Sequence, residues 1–183
     1  MTRLAAVVLA AGLSRRFGGN KLAADLNGKP VLRHVLDGLD TLDFAQVVVV
    51  TRTEEGPGTI VNPRPEDGMG ASLALGVAAL TDVDGVFIVL GDMPRIDVDL
   101  YRIMAEALAD ADIVVPVHDG QTGHPVLFRA ACFDALKSLS GDVGARAIIR
   151  SGQYRVRQVP AGPGIHDDID TPVDLTLFAS RTD

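Results

Sequence analysis

Residues 9 to 22 read LAAGLSRRFGGNKL, and the glycines at 12, 18 and 19, with Arg16 and Lys21, are the parts of an anion site. Glycines let backbone N–H groups approach a polyanion, a guanidinium clamps phosphate oxygens, and an ammonium adds a compact point charge. A nucleoside triphosphate suits that set. The spacing is not that of a P-loop, because Lys21 is neither preceded by glycine nor followed by serine or threonine, and it is not GxGxxG. Two further stretches bring carboxylates. In GDMP, 91 to 94, Asp92 sits just past an apolar run, where an ionised carboxylate suits Mg²⁺ above phosphates; an aspartate in a turn also serves as a cap or turn former. In HDDIDTPVDL, 166 to 175, Asp168 and Asp170 alternate on an extended segment and project to one side. Thr171 there suits the cap of a helix begun at Pro172. Nucleotidyl transfer to the α-phosphorus of a triphosphate, with pyrophosphate leaving, is mostly positioning and charge neutralisation. It asks for cations and a metal rather than a nucleophile triad.

These residues need elements to hold them. The run from Leu4 to Leu9, AQVVVVT at 45 to 51, GVFIVLG at 85 to 91 and ADIVVPV at 111 to 117 are β-branched-rich and continuously apolar, which marks strands covered on both faces. Helical patterns alternate with them: Pro30 to Gly38, Gly70 to Leu80, Val98 to Ala109, Ala130 to Leu139 and Val143 to Arg150. The alternation predicts a doubly wound α/β fold with a mainly parallel sheet, as one domain over residues 1–183. In such sheets ligands sit beyond the carboxyl ends of the strands, where the first loop and GDMP both fall.

Composition removes other classes. A formal charge of −7 leaves no broad basic face for nucleic acid. The lone Cys132, flanked by apolar residues in ACFDAL, reads as a buried thiol in a reducing compartment. His34, His118, His124 and His166 have no metal-ligand spacing, so zinc is not expected. The apolar start is too short to span a membrane and is followed by Arg15, Arg16 and Lys21, so a first strand explains it better than a secretion signal. A cytoplasmic protein without membrane or nucleic-acid partners is expected.

The first loop resembles the MobA-like NTP transferases, whose signature runs L-A-(A/G)-G-x-S-x-R-M-G-x-x-K. Leu9, Ala10, Ala11, Gly12, Ser14, Arg16, Gly18 and Lys21 fall in register, with Phe17 where methionine is usual. EDGMGASLALG at 66 to 76, GDMP, GHPVLF at 123 to 128, GDVGAR at 141 to 146 and DIDTPVD at 168 to 174 extend the resemblance, with Val173 where glutamate is usual. LAAG, rather than LAGG, is similar to the molybdenum cofactor cytidylyltransferase branch.

That resemblance implies transfer of CMP from CTP to the terminal phosphate of a molybdenum-bound pterin, with Mg²⁺, or Mn²⁺ in its place. It implies nucleotide contacts at Leu9, Ala10, Ala11, Gly12, Arg16 and Lys21, the cytosine and ribose against Gly68 and Ser72, and metal on Asp92 and Asp170. Lys21, Arg16 and Asp92 are the residues expected to act on the phosphates. Asp168, His124, Asp142 and Arg146 are candidates for the pterin side. His124 either aims its ring at the pterin or tucks beneath the following strand, and Asp142 with Arg146 either meets the acceptor phosphate or merely caps a helix. Transient contact with a molybdoenzyme or its chaperone follows from the product. A cytidylyl- or guanylyltransferase acting on another small phosphorylated metabolite, and a nucleotide-binding accessory protein without turnover, remain as alternatives.

Overall fold

The computed structural model describes residues 2–53, 56, 58–142 and 144–180. All four apolar runs form strands: β1 (Leu4–Leu9) follows the start. A short hairpin of β2 (Asp25–Leu26) and β3 (Lys29–Pro30) leads into helix α1 (Val31–Leu39). Then come β4 (Gln46–Thr51), β5 (Thr59–Val61), α2 (Met69–Ala78), β6 (Gly85–Leu90) and α3 (Val98–Ala107). The second half holds β7 (Ile113–His118), β8 (Gln121–Thr122), β9 (Val126–Arg129), α4 (Phe133–Lys137), α5 (Arg146–Arg150), β10 (Val156–Pro160) and α6 (Pro172–Ser180).

The main sheet runs β10-β7-β9-β6-β1-β4-β5, with β8 paired to β7. β6, β1, β4 and β5 are parallel neighbours, and β10 is parallel to β7. One strand departs from the pattern: β9 enters antiparallel between β6 and β7 and separates them. The doubly wound, mainly parallel α/β fold holds otherwise.

Both faces of β1 are covered, which is why its sequence does not alternate. Ala6, Val8 and Ala10 pack with Val35 and Leu39 of α1 and Leu100, Tyr101 and Met104 of α3. Ala5, Val7 and Ala11 pack on the other side with Leu73 and Val77 of α2, Leu136 of α4 and Ile148 of α5. Each fully buried valine or leucine contributes about 1.5–3 kcal/mol relative to exposure. Helix α2 lies so close to the sheet that a Cβ at Gly76 would come within 2.5 Å of Val7 Cγ1.

The expected helices shift at their ends. Those foreseen over 30–38, 70–80 and 98–109 appear as α1, α2 and α3. The one foreseen over 130–139 is a 3₁₀ turn followed by the short α4. The one foreseen over 143–150 is α5 from Arg146, and Val143 lies outside the described residues. The β2–β3 hairpin turns at Gly28, which hydrophobic periodicity does not mark. Asn27 (φ 52°) and Gly28 (φ 88°) both take the left-handed conformation that a two-residue hairpin turn requires. Among the described residues, no helix is long and apolar enough to cross a membrane.

Candidate active site

Leu9 of β1 and Leu90 of β6 are register partners, so the loops leaving these strands start side by side at the carboxyl edge of the sheet. The first loop turns at Ser14 (φ 50°), where the Phe17 and Gly18 N–H groups donate to the Ser14 carbonyl at 3.0 and 3.3 Å. Phe17 then packs with Leu26, Val31, Ile169 and Phe178, an apolar anchor that holds the loop against the C-terminal segment. Ile169 is fully buried, and its N–H donates to the Asp92 carbonyl at 3.0 Å. An inward Ile169 leaves Asp168 and Asp170 on the outer side of the extended segment, as alternation requires.

The carboxylates converge. Asp92, Asp168 and Asp170 each offer an oxygen within 4.8 Å of the others. Lys21 stands between two of them, its Nζ 2.6 Å from Asp92 Oδ2 and 2.8 Å from Asp170 Oδ1. Arg16 reaches Asp170 Oδ2 at 2.8 Å from a side chain that is 78% exposed. The Lys21 ammonium thus offsets the mutual repulsion of Asp92 and Asp170 from within the chain. Burial, the largest influence on Lys21, works against its charge, but the hydrogen bonds to Asp170 and Asp92 and their charges hold its pKa above the ordinary value. Asp168 has no such partner, and burial, then the charges of Asp170 and Asp92, push its carboxyl above the ordinary range.

The backbone behind Asp170 is fixed by a capping box. Asp174 accepts from Asp170 N at 3.1 Å, Thr171 N at 2.7 Å and Thr171 Oγ1 at 2.8 Å. Thr171 Oγ1 in turn accepts from Asp174 N at 3.2 Å, which makes Thr171 the cap of α6. Val173 is exposed on that helix and lines neither cavity described below.

A cavity of about 540 Å³ lies over this cluster. Leu9, Ala11, Gly12, Arg16, Lys21, Gly68, Ser72, Asp92 and Asp170 line it, together with Asp142 and Asp168. Ala10 does not. Its side chain turns into the core beside α1, and its N–H donates to the Val50 carbonyl at 2.8 Å, because alternation along the strand sends residues 9 and 11 one way and 10 the other. Gly12 is bare toward the cavity, since a Cβ there would meet nothing within 4 Å. Gly68 has φ 91°, and a Cβ on it would lie 2.3 Å from the Gly141 carbonyl carbon, so only glycine fits where α2 begins.

A second cavity of about 430 Å³ adjoins the first and shares Leu9, Met69, Leu90, Asp142 and Asp168 with it. His124, Asp142, Arg146 and Asp168, the four acceptor-side candidates, all line it, against Leu73, Ile88, Met93, Val126 and Ile165. His124 is pinned through its backbone N–H to the Ile165 carbonyl at 3.1 Å, while its ring Nδ1 is buried without a hydrogen-bond partner among the described residues. Burial first, with Arg146 adding, holds the imidazole pKa below its ordinary value against the Ile88 carbonyl and Asp92. The ring is thus buried, bonded to the Ile88 backbone and open at Nδ1. Cys132 is buried, with burial pushing its thiol up to about 11, and takes no part.

Asp92 Oδ1 is buried and has no hydrogen-bond partner among the described residues. A lone carboxylate oxygen of that kind, with two more carboxylates beside it, fits a hard divalent cation such as Mg²⁺ or Mn²⁺. Arg15, Glu66 and Met69, which lie inside the quoted motifs but carried no assigned role, also line the first cavity. Only the folded chain brings them to it.

The model of the MobA-like NTP transferase domain matches residues 6–159. The purine catabolism protein PucB of Bacillus subtilis (strain 168) is 36% identical over 195 residues, covering 95% of each chain. The molybdenum cofactor cytidylyltransferase of Escherichia coli (strain K12) is 26% identical, covering 99% of this chain and 98% of its own. Rv0371c from Mycobacterium tuberculosis H37Rv superposes with a TM-score of 0.87 at 26% identity, covering 99% of this chain and 100% of that one. A second structure of Rv0371c is a manganese complex, with a TM-score of 0.83 at 25% identity and coverage of 98% and 99%.

Proposed function

Because the chain belongs to the MobA-like NTP transferases, we propose that it transfers CMP from CTP to the terminal phosphate of a molybdenum-bound pterin, releasing pyrophosphate. The observation that carries this reading is the pair of adjoining cavities with a shared wall that includes Asp168, next to Lys21, Asp92 and Asp170. Group transfer between two substrates needs a donor and an acceptor in neighbouring spaces with charge at the seam.

In this reading the triphosphate lies in the first cavity along the bare backbone at Gly12, with Arg16 at its rim and Lys21 beneath it. Lys21 and Arg16 meet the negative charge of the phosphates, and the base faces Gly68 and Ser72. An oxygen of the acceptor phosphate attacks the α-phosphorus. The new P–O bond forms as the bond from the α-phosphorus to the α–β bridging oxygen breaks, and pyrophosphate takes that electron pair. Asp92 and Asp170 would hold Mg²⁺ or Mn²⁺, a choice supported by the unpartnered Asp92 Oδ1 and by the manganese complex of Rv0371c. When bound, such an ion supplies further neutralisation of the phosphates. His124 and Arg146 hold the acceptor in the second cavity.

The molybdenum cofactor cytidylyltransferase of E. coli supports this donor and acceptor over almost the full length of the chain. The higher identity to PucB favours a second reading, in which the same transfer serves purine breakdown. Pyrophosphate release is the test, with Mg²⁺, each of the four nucleoside triphosphates and molybdenum cofactor as acceptor. Release with CTP that depends on the cofactor supports the proposal. Release only with another nucleotide or phosphorylated acceptor redirects it, and none at all favours an accessory binding protein.

A further inference from the structure

Asn62 follows β5, is only 5% exposed, and makes bonds that its neighbours dictate. Its own N–H donates to the Thr51 carbonyl at 2.8 Å, which fixes its backbone as a continuation of the β4–β5 pairing. The Arg64 N–H donates to Asn62 Oδ1 at 2.9 Å. A backbone N–H only donates, so that end of the amide must be the carbonyl oxygen, and the other end must be the NH₂. The Asn62 Nδ2 lies 2.9 Å from Ser72 Oγ. An amide nitrogen only donates, so the Ser72 oxygen accepts, and the single hydroxyl hydrogen of Ser72 is directed elsewhere. Among the described residues none accepts it, and Ser72, itself 5% exposed, lines the first cavity.

We infer that Asn62 is a positioning residue that sets the hydrogen-bond polarity of the base pocket: by occupying one Ser72 lone pair it keeps the Ser72 O–H free as a donor to the nucleobase. Such a pocket selects a base edge that offers a carbonyl oxygen or a ring-nitrogen lone pair, as O2 and N3 of cytosine do. An edge made of N–H donors, as guanine presents at N1 and N2, cannot take that hydrogen and leaves it unpaired. The inference rests on the reading that places the base at Ser72, and the experiment separates the two.

Asn62→Asp keeps the shape but has no hydrogen to give. Its carboxylate still accepts from Arg64 N–H and now accepts from Ser72 as well, which turns the Ser72 lone pairs toward the cavity. Full-length wild type, Asn62→Asp, Asn62→Ala and Ser72→Ala are compared by displacement of a fluorescent nucleotide with CTP and with GTP in Mg²⁺, with circular dichroism as the check on folding. The expected result is a CTP-to-GTP affinity ratio about tenfold or more lower in Asn62→Asp. Asn62→Ala, which frees the hydroxyl to turn either way, should lower the ratio part of the way, and it carries the comparison alone if the aspartate variant does not fold. A structural role alone would weaken both nucleotides together and leave the ratio unmoved. If Ser72→Ala weakens CTP binding while the Asn62 variants that fold keep the wild-type ratio, the inference is overturned and the base site stands. If Ser72→Ala leaves CTP affinity unchanged, the placement of the base at Ser72 fails, and the inference goes with it.

Discussion

Replacing Lys21 by alanine tests whether its ammonium is the internal counter-ion of the carboxylate cluster. The lysine is 12% exposed and bonds Asp92 and Asp170, which are 18% and 25% exposed. Without it, carboxylate oxygens within 4.8 Å of one another lose their bridging cation. Two unit charges at that distance repel by about 3.5 kcal/mol at an effective dielectric constant near 20, and by about 0.9 kcal/mol in water. The site lies between these limits, and Arg16 still neutralises one oxygen of Asp170, so Lys21→Ala should cost about 1–3 kcal/mol. For a chain of this size that is a fall in melting temperature of roughly 2–12 °C. Thermal denaturation at neutral pH, with and without Mn²⁺, is the assay. Mn²⁺ should raise the melting temperature of the variant more than that of the wild type, since the ion takes the place of the missing ammonium, while turnover stays lost for want of a cation on the phosphates. The pH dependence has a definite sign. The folded-state pKa of Lys21 is raised, so its contribution is complete below the unfolded value of 10.5 and is lost as pH rises through the folded value. The variant should lack that alkaline loss. Equal melting temperatures, or equal shifts with Mn²⁺, would refute the counter-ion role.

Asp92→Asn and Asp170→Asn should each abolish pyrophosphate release, while Asp168→Asn, which removes no bond to Lys21, should lower it less; equal losses in all three would contradict the unequal roles. Gly68→Ala forces a Cβ to within 2.3 Å of the Gly141 backbone at φ 91°, so it should cost about 1–3 kcal/mol and weaken nucleotide binding, measured by denaturation and by nucleotide displacement. Asp112 is held below its ordinary carboxyl value first by the Arg155 backbone N–H and then by the Arg155 side chain. The stability margin of wild type over Asp112→Asn should therefore be present above pH 3.8 and disappear as pH falls through the lowered value, measured by denaturation at a series of pH values.

The strands at 4–9, 46–51, 85–90 and 113–118 were legible because helices cover both faces of the sheet, and that burial makes their sequences continuously apolar. The glycines and cations of the first loop, and the aspartates at 92, 168 and 170, were legible because each chemistry permits few residue types at fixed spacing. Edge strands were not: β5 has only half-buried residues and β10 buries Val159 alone, so neither bears an apolar run. The placement of β9 between β6 and β7 was not legible either, because strand order is decided by hydrogen bonds between segments far apart in the chain. Alternation along the strand turned Ala10 away from the cavity although the motif includes it. Lys21 was read as a phosphate ligand, yet its bonds to Asp92 and Asp170 join residues 71 and 149 positions away. Asn62 had no signal at all, since a buried amide differs from an exposed one only in what the fold packs around it. Local burial and allowed chemistry are written in the order of residues. Which charges meet, and which side chains line a cavity, are set by long-range pairing, and only the tertiary structure decided them.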